Sequence, residues 1–140
     1  MAEPFILDPT LAGDTLELAR FSLCDARLMN DARFPWLILV PRRGGLTEII
    51  DLDPAERLQL IEEIALASRA LQSATGCLKL NVGALGNVVR QLHVHVVART
   101  AGDAAWPGPV WGAGQRTAYA PAAAADIIAR LRRHFAPRPT

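Results

Sequence analysis

No unbroken apolar run in this sequence approaches the roughly 20 residues that a helix needs to cross a bilayer, so no transmembrane segment is expected. Clustered positive charge is also missing. The formal net charge is +1, and "LRRHF" near the end is the one basic run. Nucleic acid and anionic membrane surfaces therefore find no electrostatic footprint here. The opening "MAEPFILDPTLAG" lacks the basic start and long apolar core of a secretory signal. Cysteine is restricted to Cys24 and Cys77, without Cys-x-x-Cys spacing; buried free thiols are expected in preference to a disulfide. What is present is ordinary for a globular protein: 51% apolar and 21% charged over 140 residues, enough for one domain spanning 1–140 with a sizeable core. A soluble, cytoplasmic protein is expected.

Periodicity divides the chain. "DTLELARFS" and "LCDARLMN" alternate apolar and polar residues and predict a hairpin. "PWLILVPRR" is a continuous apolar run closed by Pro41, as a central strand would be, and "LTEII" predicts a short strand or extended segment. Then the period changes. Asp53-Pro54-Ala55-Glu56 combines an N-cap, a proline at the first helical position and an acid three residues after the cap. Leu60, Ile64, Ala67 and Leu71 follow at helical spacing, and Gly76 supplies the stop. This predicts a helix near 54–75. "LKLNVG" and "VVRQLHVHVVA" predict two further strands joined by the turn "GALGN". A Gly/Pro/Trp loop over 101–120 precedes a closing helix in "PAAAADIIARLRRHF", with Ile128, Leu131 and Phe135 on one stripe. Hairpin-linked strands with segregated helices make the expected class α+β: an antiparallel sheet of about five strands, one long helix and a C-terminal helix.

Two of the three histidines stand one residue apart in "NVVRQLHVHVVART". On a strand, Gln91, His93, His95 and Val97 share one face, while Leu92, Val94, Val96 and Ala98 line the other. Two residues along a strand span about 6.6 Å, so both imidazoles can reach one substrate group. A half-solvated structural pair is the plain alternative. A metal is a further one, but zinc needs a third protein ligand, and Cys24, Cys77, His134 and the scattered acids stand at no telling spacing. His134, beside Arg132 and Arg133 in the last helical turn, is expected to serve the helix dipole. No metal and no cofactor is therefore expected.

"QLHVHVVAR" resembles the signature of the histidine-triad (HIT) family, His-φ-His-φ-His-φ-φ with φ apolar. Gln91 stands for the first histidine; His93 and His95 match the second and third. "RLMND", "PWLILVPRR", the helix and "LNVGALGN" follow the family's order, so the resemblance covers residues 15–99. It implies a homodimer of α+β protomers that binds a nucleotide. It also implies cleavage at the α-phosphorus of a nucleoside phosphoramidate or dinucleoside polyphosphate, through a nucleotidyl-histidine on His93. A neutral imidazole suits that role near neutral pH, and His95 could donate to a non-bridging phosphate oxygen.

The same resemblance, with the local chemistry, marks the surroundings. Gly83 and Gly86 would let backbone N–H groups approach a phosphate, and Asn81 and Asn87 could donate side-chain hydrogen bonds, although a plain hairpin turn would also favour these residues. Asn30, or its neighbour Asp31, matches the residue that meets the ribose. Arg99 shares the histidines' parity and could meet a leaving phosphate at the rim, or simply be a solvated strand-end charge. Trp106 and Trp111 could pack on a base, on a partner subunit or on their own loop. Three departures from the family pattern stand out: Gln91 cannot become cationic, Trp36 in "FPW" removes a neighbouring histidine, and Val88 replaces a hydroxyl residue. They leave open a nucleotide-binding protein with little turnover. A metal enzyme or a dimeric interaction module remains the third reading.

Overall fold

The computed structural model describes residues 3–135. A short helix α1 (Pro9–Asp14) leads into strands β1 (Thr15–Arg20), β2 (Cys24–Met29) and β3 (Trp36–Pro41). Helix α2 (Pro54–Thr75), strands β4 (Lys79–Gly83) and β5 (Val94–Arg99) and helix α3 (Pro121–Arg132) complete the order. The strands form one sheet, β1-β2-β3-β5-β4, with every neighbouring pair antiparallel. This is the α+β architecture that the patterning predicts.

Helix α2 ends where its capping chemistry says it should. The Asp53 carboxylate accepts from the Glu56 N–H, the Glu56 side chain reaches back, and Pro54 opens the first turn. Gly76 closes the helix at φ +64°, a left-handed conformation that glycine adopts without strain. Leu60, Ala67 and Leu71 are buried against the sheet as expected, with Ala70 beside them and Ile64 partly buried. Glu63 also lies on that face, 3% exposed. Its carboxylate accepts from the backbone N–H groups of Leu23 and Cys24 at 2.9 and 2.8 Å, and from the Gln59 amide at 2.6 Å. A buried acid is tolerated because it satisfies the turn between β1 and β2.

The sheet is covered on both faces. On one, Leu37, Leu39, Val94, Val96 and Ala98 pack with α2 and α3. On the other, Trp36, Ile38, Val40 and Val97 pack with Leu11 of α1, Phe34 and Val110. Burial on two sides explains why β3 is continuously apolar.

Away from the histidine pair and its surroundings, the structure departs from expectation in four places. Residues 46–50, "LTEII", hold no strand; the Asp51 carboxylate accepts from the Thr47 and Glu48 N–H groups, and Ile49–Asp51 winds into a 3-10 turn. Helix α1 was not foreshadowed by the apolar pattern. In α3 the buried stripe is Ala124, Ile127 and Leu131, with Ile128 and Phe135 only partly buried. His134 falls beyond the helix end, so the last-turn cations are Arg130 and Arg132.

Candidate active site

Strand β5 begins at Val94, six residues later than the pattern predicts. Its last pairing with β4 toward the start is Gly83 with His95. Before that, the chain leaves β4: the Leu92 N–H bonds instead to the Leu46 carbonyl at 2.9 Å. The alternation of faces nonetheless persists, with Leu92 in the helix-side core and His93 and His95 on the opposite side, each 6% exposed.

Gln91 therefore does not stand in the strand, and its side chain turns away from the histidines. The carboxamide oxygen accepts from the Asp8 N–H and the NH₂ donates to the Ile6 carbonyl, both at 2.8 Å. A group that donates and accepts at once clips an extended backbone as a neighbouring strand would. What Gln91 offers His93 is its main-chain carbonyl, 2.7 Å from Nδ1. Since a carbonyl can only accept, Nδ1 carries the proton and the lone pair is at Nε2.

The two imidazoles meet edge to face with centroids 5.0 Å apart. Trp36 lies 5.6 Å from the His95 ring and its indole N–H donates to His95 Nδ1 at 3.0 Å. Burial, and the proximity of His93, push His95 down to about 4. Trp111 stands on the other side of His95 at 5.4 Å. Gly83 makes room for it: a Cβ there would come within 3.2 Å of the indole. Gly83 thus seats an aromatic wall.

Two cavities meet at His93. The larger, about 540 Å³, is bounded by Asp14, Met29, Trp36, Asn87, His95 and Trp111, among others. The smaller, about 240 Å³, runs past Thr47, Glu48 and Ile50. Leu85 and Gly86 separate them, and Gly86 has φ +69°, a turn that a side chain would strain. Among the described residues no lysine or arginine lines either cavity. Phosphate charge here would meet neutral N–H donors.

Other expected residues are engaged elsewhere. Arg99 is 1% exposed and forms a two-pronged ion pair with Asp103, at 2.8 and 3.0 Å, while donating to Asn81 Oδ1 at 2.8 Å. Phe34 and Trp106 flank its guanidinium. It is neither a rim cation nor a solvated one. Burial of this pair shields an anchor for the loop after β5. The Arg99 hydrogen bond is the main influence holding Asp103 down to about 2. Asn30 Oδ1 accepts from the Tyr119 N–H at 2.9 Å. Asp31 is tied to Arg33 at 2.8 Å and to the Thr117 N–H at 3.4 Å. Burial raises the Asp31 carboxyl, but these bonds outweigh it and hold the group below its ordinary range. Both residues stitch the 117–119 segment to the sheet, leaving Met29 to line the cavity.

Among the described residues no cluster of three or more histidines, cysteines or acids is arranged to hold a metal ion. Cys24 and Cys77 are free and pack on the helix side, away from the histidine pair.

The HIT domain family model matches residues 14–102. The chain belongs to the HIT domain family. A histidine triad protein of Bradyrhizobium japonicum is 47% identical over 94% of this chain and 98% of its own, with a TM-score of 0.92. One from Sinorhizobium meliloti is 46% identical over 93% and 96%, TM-score 0.91. A third, from Marinobacter aquaeolei, is 42% identical over 94% and 96%, TM-score 0.92. No curated protein matches.

Set in this HIT fold, the residues that sequence reasoning missed come mostly from the N-terminal segment. Thr10, Leu11 and Asp14 bound the larger cavity because α1 lies across it. The signal was present: Asp8-Pro9 repeats the cap-then-proline pattern of Asp53-Pro54, and the Asp8 carboxylate accepts from the Thr10 N–H. No helix among the described residues is long and apolar enough to cross a membrane.

Proposed function

We propose that this HIT domain protein is a nucleotidyl hydrolase or transferase acting at the α-phosphorus of a nucleoside phosphoramidate or dinucleoside polyphosphate. The observation that carries the reading is the 2.7 Å contact between His93 Nδ1 and the Gln91 carbonyl, which leaves Nε2 with a free lone pair where the two cavities join. In the first step that lone pair attacks phosphorus. The bond to the leaving group breaks, and the departing nitrogen or oxygen takes up a proton from solvent unless it leaves as an anion. In the second step water attacks phosphorus and gives up a proton to solvent, the P–Nε2 bond breaks, the nucleotide leaves and neutral His93 is regenerated.

His95 would donate its N–H to a non-bridging oxygen, and Asn87 and the backbone around Gly86 would add neutral donors. The larger cavity, with its apolar and aromatic wall, suits a nucleoside, and the smaller suits the leaving group. The implied homodimer belongs to the same reading. AMP release from adenosine 5′-phosphoramidate and from diadenosine polyphosphates tests it, with His93→Ala as control. Turnover by wild type that is lost in the variant supports the reading. Tight AMP binding with no turnover favours the second reading, a nucleotide-binding protein. That second reading is favoured by the diversion of Gln91, Asn30, Asn81 and Arg99 into internal bonds.

A further inference from the structure

Trp36 occupies a place that the catalytic reading left empty, and the geometry gives it a task. An indole has one N–H and no acceptor. Its Nε1 lies 3.0 Å from His95 Nδ1 in a buried contact, so Nδ1 must hold a lone pair. A neutral imidazole carries its proton on one nitrogen only; with Nδ1 accepting, the proton is on Nε2. His93 is held the opposite way, with Nδ1 protonated against the Gln91 carbonyl. Two rings with centroids 5.0 Å apart thus expose one lone pair and one N–H.

We propose that Trp36 is a positioning residue that fixes His95 as the neutral Nε2–H tautomer, so that the pair offers a phosphoryl group a nucleophile and a donor in fixed assignment. The role in turnover rests on the function proposed above; the tautomer does not. The surroundings support it. Ile38 and Gly83 flank His95 in register from β3 and β4, and Trp111 closes the far side. The titratable group against the ring is His93, which disfavours a second positive charge. Asp14 lines the same cavity, and Arg99 further along the strand is already neutralised by Asp103. Adding a proton at His95 Nδ1 would set two N–H groups against each other in a buried site. Burial alone disfavours the cation as well, and His95 is accordingly pushed down to about 4.

The test is a long-range ¹H–¹⁵N spectrum of the histidines in the wild-type chain and in Trp36→Phe, recorded from about pH 5 to pH 8 where an ordinary imidazole titrates. The wild type is expected to show His95 with protons on Nε2 alone throughout. His93 is expected in the opposite tautomer, and a coupling is expected across the hydrogen bond between Trp36 Nε1 and His95 Nδ1. In Trp36→Phe, His95 should populate the Nδ1–H form or become cationic at higher pH, with the His93 pattern retained as proof of the fold. The kcat should fall by roughly 10²-fold, as for loss of an aligned donor, with KM little changed; Trp36→His, which can present an N–H, should recover part of it.

A wild-type spectrum with His95 protonated on Nδ1, or without the cross-bond coupling, overturns the proposal even if Trp36→Phe does not fold. So does a folded Trp36→Phe whose His95 spectrum and pH–rate profile match wild type. If the wild-type spectrum is as expected but no nucleotide substrate is turned over, the catalytic reading fails while the tautomer assignment stands. If turnover is found and Trp36→Phe leaves it unchanged, the positioning role fails and the catalytic reading stands.

Discussion

On the helix side of the sheet, Leu39, Val94, Val96 and Leu71 exclude water without a polar partner among them. On the other side, Trp36, Gln91 and Arg99 each use a hydrogen bond to hold a neighbour in place. The first face is held by area and tolerates small changes of shape at a cost in stability. The second is held by direction, so a change of one donor or acceptor alters which atoms face the cavity. Even the exceptions keep the contrast: Glu63, the buried acid on the helix side, caps a turn, and burial with Glu63 nearby pushes the Cys24 thiol up, away from reactivity.

Substitutions on the two faces should separate activity from stability. The largest expected effect is His93→Ala, which should lower AMP release from adenosine 5′-phosphoramidate by about 10⁴-fold or more at a cost of only about 1 kcal/mol in stability. A loss under tenfold would break the comparison. Leu71→Ala should do the reverse: its side chain is fully buried, so unfolding in urea should show a loss of about 2–5 kcal/mol, with kcat retained in the folded fraction. Gln91→Ala is a sharper test, because the contact with His93 uses the main-chain carbonyl that alanine keeps. Stability should fall by about 1 kcal/mol and amide exchange at Asp8 should quicken, while kcat changes by less than about tenfold. A collapse comparable to His93→Ala would mean that the carboxamide joins the chemistry.

The smallest effect is pH-linked. Asp103 is held down to about 2 chiefly by its hydrogen bond from Arg99. A depressed carboxyl contributes stability above its unfolded value, near pH 4, and that contribution is lost as pH falls through the folded value. The stability gap between wild type and Asp103→Asn should therefore narrow from about pH 4 to pH 2 in acid titration followed by circular dichroism. A constant gap would assign the variant's loss to packing alone.

The helix face was the more legible in the sequence. Apolar period and the Asp53-Pro54-Glu56 cap locate α2, and the alternation Leu92, Val94, Val96, Ala98 locates its seat. The order of the elements and the histidine pair identify the family. The site face was legible only in residue type. Parity places His93 and His95 together, but it cannot report that Gln91 precedes the strand, or that Leu46 takes the Leu92 N–H and so ends the ladder. Arg99 keeps the predicted parity and yet is buried, because its ion pair comes from a loop residue four positions on, outside any period. Trp36 reads in sequence as a lost histidine; only the 3.0 Å contact shows it as the partner of one that remains.

The measurement closest to the central claim is mass spectrometry of the wild-type protein after acid-free quenching of its reaction with adenosine 5′-phosphoramidate. The account predicts an adenylyl group on the peptide carrying His93, formed at a rate no slower than turnover and absent from His93→Ala. Turnover with no adduct, or an adduct on another residue, would contradict it.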